Sequence, residues 1–280
     1  MNLKTTSSID LLNSCFGFIN EIMKKLFTLL FLLSAFISNS QRTMFGSQNN
    51  YVAPVTAFQG TVVTGGLILN LNANSYSGSG STWIDLSTQN NSATLVGNPT
   101  FSINPASFTF ASNVIATTAQ NNIALTTATF VAWVNPSQTQ GSYTGIIFSR
   151  NGYGGSSVPA TGLDLYTNNS VGYHWADNAA TYNWNSNLLV PNNTWSMIAI
   201  TITANSATAY LCNSNGISTA INSASHGTLS GLNFFIACDP ADQTSRAFKG
   251  KIATSMIYNT ALSTQNISDI YNLQKATFGL

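Results

Sequence analysis

The 280-residue chain has few charged residues, 6% of the total, and a formal net charge of +1. An average soluble protein has about 25% charged residues, so Ser, Thr, Asn and Gly must form most of the surface. The near-zero charge argues against electrostatic binding to nucleic acid or to an anionic membrane, and the 11% aromatic content argues against disorder.

The first predicted element is a signal peptide at residues 23–40. Two lysines precede an apolar run, Leu26–Ile37, and small residues come before Gln41. This order is typical of a secretion signal, and the run is shorter than the roughly 20 residues that span a bilayer. Residues 1–22 are interpreted as an extended leader or as the result of a mis-called start before Met23. We therefore expect a secreted or cell-surface protein that is not inserted in the membrane after cleavage.

Residues 41–65 are polar and irregular and are interpreted as a linker, and one β domain is predicted for residues 66–280. Within it, short β-type runs alternate with clusters of Gly, Asn, Pro and Ser, a spacing that favours a sandwich or barrel. The first strand is predicted from Leu67, where leucines alternate with other residues. Further strands are predicted, in chain order, at Thr129–Val134, Gly145–Ser149, Leu163–Tyr166, Val171–Trp175, Trp195–Thr203, Ala207–Cys212, Leu232–Cys238 and Lys251–Tyr258.

Two of these later elements have more specific patterns. Trp195–Ile202 is apolar on both alternating faces, so we expect this strand inside a sandwich rather than at an edge. Helical spacing occurs near the end of the chain, where the pattern predicts a helix at Thr264–Lys275 with Ser263 as its N-cap.

Catalysis of the common hydrolytic kind is not expected. Glu21, the one glutamate of the chain, lies in the leader, whereas glycosidases usually need two carboxyl groups flanking the scissile bond. The chain has two histidines, His174 and His226, but no G-x-S-x-G motif whose serine a histidine could activate as a nucleophile. His174 is therefore interpreted as a packed or hydrogen-bonding residue. We predict no catalytic residues.

An aromatic cluster between Val171 and Trp184 is the main candidate ligand site. Exposed aromatic rings bordered by polar side chains are suited to glycan binding. The alternative is core packing, because Tyr173 and Trp175 are two residues apart in a strand and share a face. The candidate ligand-binding residues are Tyr173, Trp175, Asp177, Asn178, Tyr182, Asn183 and Trp184.

A calcium site is a further candidate, although no cofactor is required by the sequence. Asp239 and Asp242 are the best pair of carboxylates within one loop, and hard cations prefer such oxygen ligands. The alternative is an ordinary turn, since Asp-Pro steps favour turns.

Cys212 and Cys238 are the two cysteines that follow the leader. An even number in an oxidising compartment suggests a disulfide, which would stabilise the fold by about 3–4 kcal/mol on the chain-entropy model. The alternative is that both cysteines are buried and free, on strands that are not neighbours.

Several segments together resemble the laminin G-like, concanavalin A-like lectin/glucanase superfamily, in its short microbial branch. They are a W-x-D-L-S turn at Trp83–Ser87, FVAWVNP at Phe130–Pro136, NNTWSMIAITI, and FKGKIATSMIYNTALS at Phe248–Ser263. The resemblance implies an all-β, antiparallel two-sheet jelly-roll sandwich with ligands on a concave face or rim. Family members usually differ at both cysteine positions, and this pair of departures fits a disulfide particular to one branch.

The leading hypothesis is a non-catalytic carbohydrate-binding or adhesion module whose partner is a glycan or another extracellular surface ligand. A structural module that binds protein in a cell-surface or virion assembly is the alternative, and a glycoside hydrolase is the third. The superfamily includes lectins, hydrolases and structural parts, so the fold alone does not decide among them.

Overall fold

Within residues 63–118, 123–150 and 159–280, which the computed structural model describes, the chain forms an antiparallel β-sandwich. The strands are, in chain order, β1 (Leu67–Asn72), β2 (Thr82–Trp83), β3 (Ala93–Val96), β4 (Thr100–Ile103), β5 (Ala106–Phe110), β6 (Ile115–Thr118), β7 (Ile123–Leu125), β8 (Ala128–Pro136), β9 (Thr144–Ser149), β10 (Thr161–Leu165), β11 (Val171–His174), β12 (Ser196–Ile202), β13 (Ala207–Asn213), β14 (Gly216–Asn222), β15 (Leu229–Leu232), β16 (Phe235–Ile236) and β17 (Gly250–Tyr258). Two α-helices are described, α1 (Ala179–Tyr182) and α2 (Thr264–Gln274).

The strands form two large sheets. The eight-stranded sheet has the order β14-β13-β12-β8-β17-β5-β4, with β1 also paired to β17. The seven-stranded sheet has the order β11-β10-β9-β16-β6-β3-β2, and β15 pairs with β7 in a small third sheet. One hydrophobic core draws buried side chains from both large sheets, as expected for a sandwich in which the inward-facing residues of each sheet meet. The predicted fold class is therefore confirmed.

Strand β12 has the interior position that its sequence predicts. It pairs with β8 on one side and β13 on the other. Ile198 and Ile200 contribute to the core between the sheets, whereas Met197 and Ala199 belong to a second cluster on the outer face. The strand is apolar on both faces because both are covered.

Helix α2 covers that outer face. It begins behind Ser263, whose hydroxyl accepts a hydrogen bond from the Asn266 backbone N–H at 3.1 Å, while the Asn266 side chain accepts one from the Ser263 backbone. This reciprocal capping satisfies two amides that the helix itself leaves unpaired. Ile267 and Tyr271 are buried against the sheet, so the predicted helix and its cap are both confirmed.

The cysteines occupy separate parts of the sandwich and are free. Cys212 lies on β13 in the cluster beneath α2, whereas Cys238 follows β16 and packs with Ile115 and Ala247. The predicted disulfide is wrong, because the side chains belong to different sheets and to different hydrophobic clusters. Burial raises the pKa of each thiol to about 12, so both are protonated, unreactive packing residues at neutral pH.

The predicted signal peptide, and all but the last residues of the predicted linker, lie outside the described residues. Across the described ranges, none of the helices has both the length and the apolar character that a membrane crossing requires.

Candidate functional site

A cavity of about 250 Å³ lies on the face of the seven-stranded sheet that points away from the core. Leu163 and Leu165 of β10 and Tyr173 of β11 point into the core, so alternation turns Asp164 and His174 to the opposite face. The residues that line the cavity are Tyr143, Arg150, His174, Asp177, Tyr182 and Arg246.

Asp164 and His174 form the floor of this site. Asp164 lies opposite Gly172 in the antiparallel register, and a Cβ atom at Gly172 would overlap the Asp164 carboxylate. The missing side chain therefore leaves room for that carboxylate to pair with His174 Nδ1. Burial raises the pKa of the Asp164 carboxyl, and the imidazole beside it opposes that rise.

A short turn and helix place an aromatic ring over His174. Ala176 and Asp177 both have left-handed backbone conformations, and the Asn178 side chain then caps α1 by accepting from the Ala180 N–H at 3.0 Å. The helix carries Tyr182, whose ring is nearly parallel to the imidazole of His174 at a centroid distance of 5.4 Å. The result is a partly exposed aromatic surface at the edge of the cavity.

Tyr143 forms the neighbouring wall. Its ring meets the His174 ring edge to face at 5.5 Å, and its hydroxyl donates a hydrogen bond to Asn183 Oδ1 at 3.2 Å. Burial is the main cause that raises the pKa of Tyr143 above its usual value. The hydroxyl is therefore a neutral hydrogen-bonding group at physiological pH.

Asp239 holds both arginines of the cavity. Its side chain is 0% exposed, and its Oδ1 accepts from Arg150 Nε at 3.0 Å while its Oδ2 accepts from Arg150 Nη2 at 3.2 Å and from Arg246 Nη1 at 2.7 Å. The Ala241 backbone N–H also donates to Oδ1 at 3.0 Å. Charge-assisted hydrogen bonds of this kind fix a guanidinium group in orientation as well as in position.

A glycine allows Asp239 to approach the sheet. A Cβ atom at Gly145 on β9 would overlap backbone atoms of Cys238 and Asp239. The absence of a side chain there lets the segment after β16 pass close to β9, which ends next to Arg150. Close backbone approach is one of the common reasons for a glycine within a strand.

The aromatic residues of the predicted ligand site lie on two different sides of the sheet. Tyr173 and Trp175 are both 0% exposed in the core, where the Trp175 indole donates to the Gly227 carbonyl at 2.7 Å. Trp184 packs partly buried against the same core and meets the Tyr173 ring edge to face. The expectation of one exposed platform that includes Tyr173 and Trp175 is therefore wrong, because alternation points these side chains inward.

The remaining predicted ligand residues lie at or beside the cavity. Asp177 and Tyr182 line it. Asn183 contacts it through the Tyr143 hydroxyl, and Asn178 caps α1 and donates to the Ser225 carbonyl at 3.4 Å. The structure thus brings the polar half of the predicted set together with residues that the sequence analysis did not select.

The predicted calcium pair is engaged in protein contacts. Asp239 is saturated by the two arginines and the Ala241 N–H, and Asp242 accepts hydrogen bonds from the backbone and hydroxyl groups of Thr244 and Ser245. These bonds, those from Ser245 first, lower the pKa of Asp242. These protein contacts disfavour a shared metal ion at Asp239 and Asp242, and no group of three or more His, Cys, Asp or Glu side chains that could hold a metal occurs in the described part of the chain.

The sequence analysis missed Tyr143, Arg150 and Arg246. A signal for the site was nevertheless present. Asp164 sits between two leucines in a strand, and an ionisable group among core residues is rarely found without a partner. That pattern alone predicts a polar cluster on the opposite face of β10, although not its composition.

A second buried histidine predicts a pH-dependent stability. His226 accepts from the Tyr173 hydroxyl at Nε2 (2.9 Å) and donates from Nδ1 to the Thr203 carbonyl (2.8 Å), so it is held neutral. Burial lowers its pKa below the usual value of about 6.5. As the pH falls below about 6.5, the unfolded chain binds a proton that the folded His226 resists, and the free energy of unfolding decreases. Urea unfolding at pH 7 and pH 5 should show a smaller decrease for His226→Gln than for the wild type, and equal decreases would contradict this origin.

The family model described as the concanavalin A-like lectin/glucanases superfamily matches residues 109–268, which is more than half of the chain. The chain belongs to this superfamily. Comparison with curated proteins gave no match. The match runs from the end of β5 through β17 to the first five residues of α2, so all the residues that line the candidate cavity lie within the matched region.

Solved structures share the architecture at low sequence identity. Domain 4 of AbnA, an extracellular arabinanase from Geobacillus stearothermophilus solved with arabinotriose, is 14% identical with a TM-score of 0.53, and the alignment covers 73% of this chain and 97% of that domain. The Trypanosoma rangeli sialidase with the inhibitor DANA is 16% identical with a TM-score of 0.53, over 86% of this chain and 38% of the sialidase. The chain thus spans well under half of the sialidase, and these likenesses show the fold alone.

Proposed function

We propose that this protein is a secreted, non-catalytic carbohydrate-binding module whose ligand occupies the cavity between Tyr143, Tyr182 and the two arginines. The observation that carries the proposal is the composition of that cavity. It combines aromatic rings with guanidinium, imidazole and carboxylate groups around the outward-facing His174 of β11. Sugar rings present apolar C–H faces and a rim of hydroxyls, so they need both kinds of contact.

The size and rigidity of the cavity support a small ligand unit. Its volume of about 250 Å³ is below the range of about 300–1,000 Å³ typical of drug-sized ligands, so it is suited to a single sugar ring of a longer glycan. The buried Asp239 carboxylate and the Asp164–His174 pair hold the polar groups in place before a ligand arrives. Such preorganisation reduces the entropy lost on binding.

The positions of the carboxylates favour binding over hydrolysis. A glycosidase of the usual kind needs two carboxyl groups that reach the scissile bond. In the cavity, Asp177 is exposed, whereas Asp239 is saturated by arginines and Asp164 is buried behind His174. One accessible carboxylate supports hydrogen bonding to a hydroxyl, not the two-carboxylate mechanism.

Other observations support a glycan as the partner. The domain of the arabinanase that shares this fold was solved with arabinotriose, and the superfamily is described by its lectins and glucanases. The predicted signal peptide would place this module outside the cell, where it would meet surface or environmental polysaccharides. Adhesion to such surfaces is the biological role that we propose.

The test is a glycan array followed by isothermal titration calorimetry with the retained oligosaccharide. Tyr182→Ala removes the ring beside His174, and Asp177→Asn removes the exposed carboxylate. A lost charge-assisted hydrogen bond costs about 1.5–3 kcal/mol, so we expect Asp177→Asn to weaken binding about tenfold or more, with a comparable loss for Tyr182→Ala.

Asp269→Asn makes the same chemical change as Asp177→Asn on helix α2, away from the cavity, and should leave affinity unchanged. Binding that survives both cavity variants would move the site elsewhere. Absence of binding to every glycan on the array, together with co-purification in a large assembly, would support the protein-interaction alternative. Release of reducing ends from a polysaccharide would refute the non-catalytic assignment.

A further inference from the structure

The two arginines of the cavity have unused hydrogen-bonding capacity. Arg246 donates to Asp239 through Nη1, while its Nε and Nη2 have no hydrogen-bond partner among the described residues. Its side chain is 32% exposed, and its guanidinium lies 5.3 Å from the Tyr143 ring centroid. Asp239 therefore fixes the Arg246 guanidinium group through Nη1, and the Nε and Nη2 edge is left to bind a ligand.

Among the described residues, no carboxylate forms a hydrogen bond with this edge of Arg246. Asp239 is one carboxylate shared by two guanidinium groups. Asp164 is buried and paired with His174, and the charge of Arg246 is the smallest of the causes that act on the pKa of its carboxyl. Asp177 lies 3.9 Å from Arg150 Nη1, but its side chain is 53% exposed, and water screens an interaction of that kind strongly.

We propose that the ligand of this cavity carries a carboxylate, which makes it an acidic saccharide such as a uronic acid residue. This inference rests on the proposed function and specifies its ligand class. The planar N–H edge of a guanidinium group matches the two oxygens of a carboxylate in a bidentate pair. Arg246 binds the carboxylate, Arg150 supports it from the Asp239 side, and Asp177 accepts a sugar hydroxyl at the rim.

The same geometry explains why Asp239 is buried. A guanidinium that is free to rotate would lose conformational entropy when it binds an anion, and a fixed one loses less. Asp239 neutralises one of the two positive charges, and the exposed Asp177 near Arg150 only partly offsets the other. A neutral sugar would not need this second charge.

The experiment uses matched pairs of oligosaccharides in isothermal titration calorimetry. Tetragalacturonate, tetramannuronate and a hyaluronan tetrasaccharide are each compared with their carboxyl-reduced forms, and a sulfated carrageenan tetrasaccharide tests for anions that are not carboxylates. We expect at least one acidic member to bind ten times or more tightly than its reduced form. Arg246→Gln should abolish that preference. Arg246→Lys should retain only part of it, because lysine keeps the positive charge but lacks the planar N–H edge of a guanidinium group.

Lys251→Gln is the matched control, because it removes one positive charge from β17 in the other sheet and should keep the full preference. Thermal unfolding of each variant establishes that it is folded, and Arg246→Lys decides the question if Arg246→Gln does not fold. Equal binding of acidic and reduced forms, tightest binding of the sulfated probe, or a preference that survives in Arg246→Gln would overturn the carboxylate inference while leaving glycan binding intact. No binding to any acidic or neutral glycan would overturn both.

Discussion

Replacement of Asp239 by asparagine is expected to lower the free energy of unfolding by roughly 3 kcal/mol. Removing one partner of a buried ion pair typically costs about 3–5 kcal/mol because the remaining charge is uncompensated. The lower end applies here, since the Arg150 and Arg246 side chains are 18% and 32% exposed and water can reach them in part. Urea unfolding monitored by tryptophan fluorescence measures the loss.

Asp269→Asn provides the comparison for this substitution. Asp269 lies on α2 and accepts an exposed hydrogen bond from the Gln265 side chain. The same change of carboxylate to amide should therefore cost less than about 0.5 kcal/mol, as for most surface substitutions. Similar losses in the two variants would mean that Asp239 is not the anchor of the arginines. Glycan affinity should also fall in Asp239→Asn, because the guanidinium groups lose their fixed orientation.

Replacement of Trp133 by alanine is expected to destabilise the protein by about 3–5 kcal/mol, the usual range for a buried Trp or Phe truncated to alanine. Trp133 is 0% exposed on β8. Its ring stacks on Phe278 and Tyr271 at centroid distances of 4.0 and 5.8 Å, and its indole N–H donates to Gln274 Oε1 at 2.6 Å. The substitution therefore removes one of the contacts that join the C-terminal helix to the eight-stranded sheet.

Trp133→Phe separates the contribution of ring packing from that of the indole hydrogen bond. It retains a ring between β8 and α2 but loses the hydrogen bond to Gln274, so we expect a loss clearly smaller than that of the alanine variant. Thermal unfolding followed by circular dichroism at 222 nm reports on both the helix and the whole fold. A loss below about 1 kcal/mol in Trp133→Ala would show that α2 is held by other contacts.

Strands such as β10 and β12 could be predicted because their signals are local. Alternation at Leu163 and Leu165, and the two-faced apolar pattern of Met197 to Ile202, follow from the period of a strand and from which faces are covered. The helix cap at Ser263 is likewise encoded within four residues. In each case the structure confirms what neighbouring residues specify.

The site could not be predicted in the same way because its members are distant in sequence. Arg150 follows β9 and Arg246 follows β16, and their proximity depends on Asp239 and on the space left by Gly145. The sequence pattern also left open whether the Tyr173 side chain points into the core or to the outer face, because a shift of one residue in strand register exchanges the two faces.

Cys212 and Cys238 show the same limit. Their even number suggested pairing, but the assignment of each strand to a sheet is a non-local property. Cys212 lies on β13 of the eight-stranded sheet, whereas Cys238 follows β16 of the seven-stranded sheet.

The arginine side chains offer the most direct test of the proposed glycan site. The chain has three arginines, Arg42, Arg150 and Arg246, so the Nε–H region of a ¹⁵N-labelled sample is simple to assign with single-residue variants. Addition of the oligosaccharide selected on the array should shift the Arg246 resonance most and that of Arg150 less. Saturable binding in calorimetry without any shift of Arg150 or Arg246 would contradict the assignment of the ligand to this cavity.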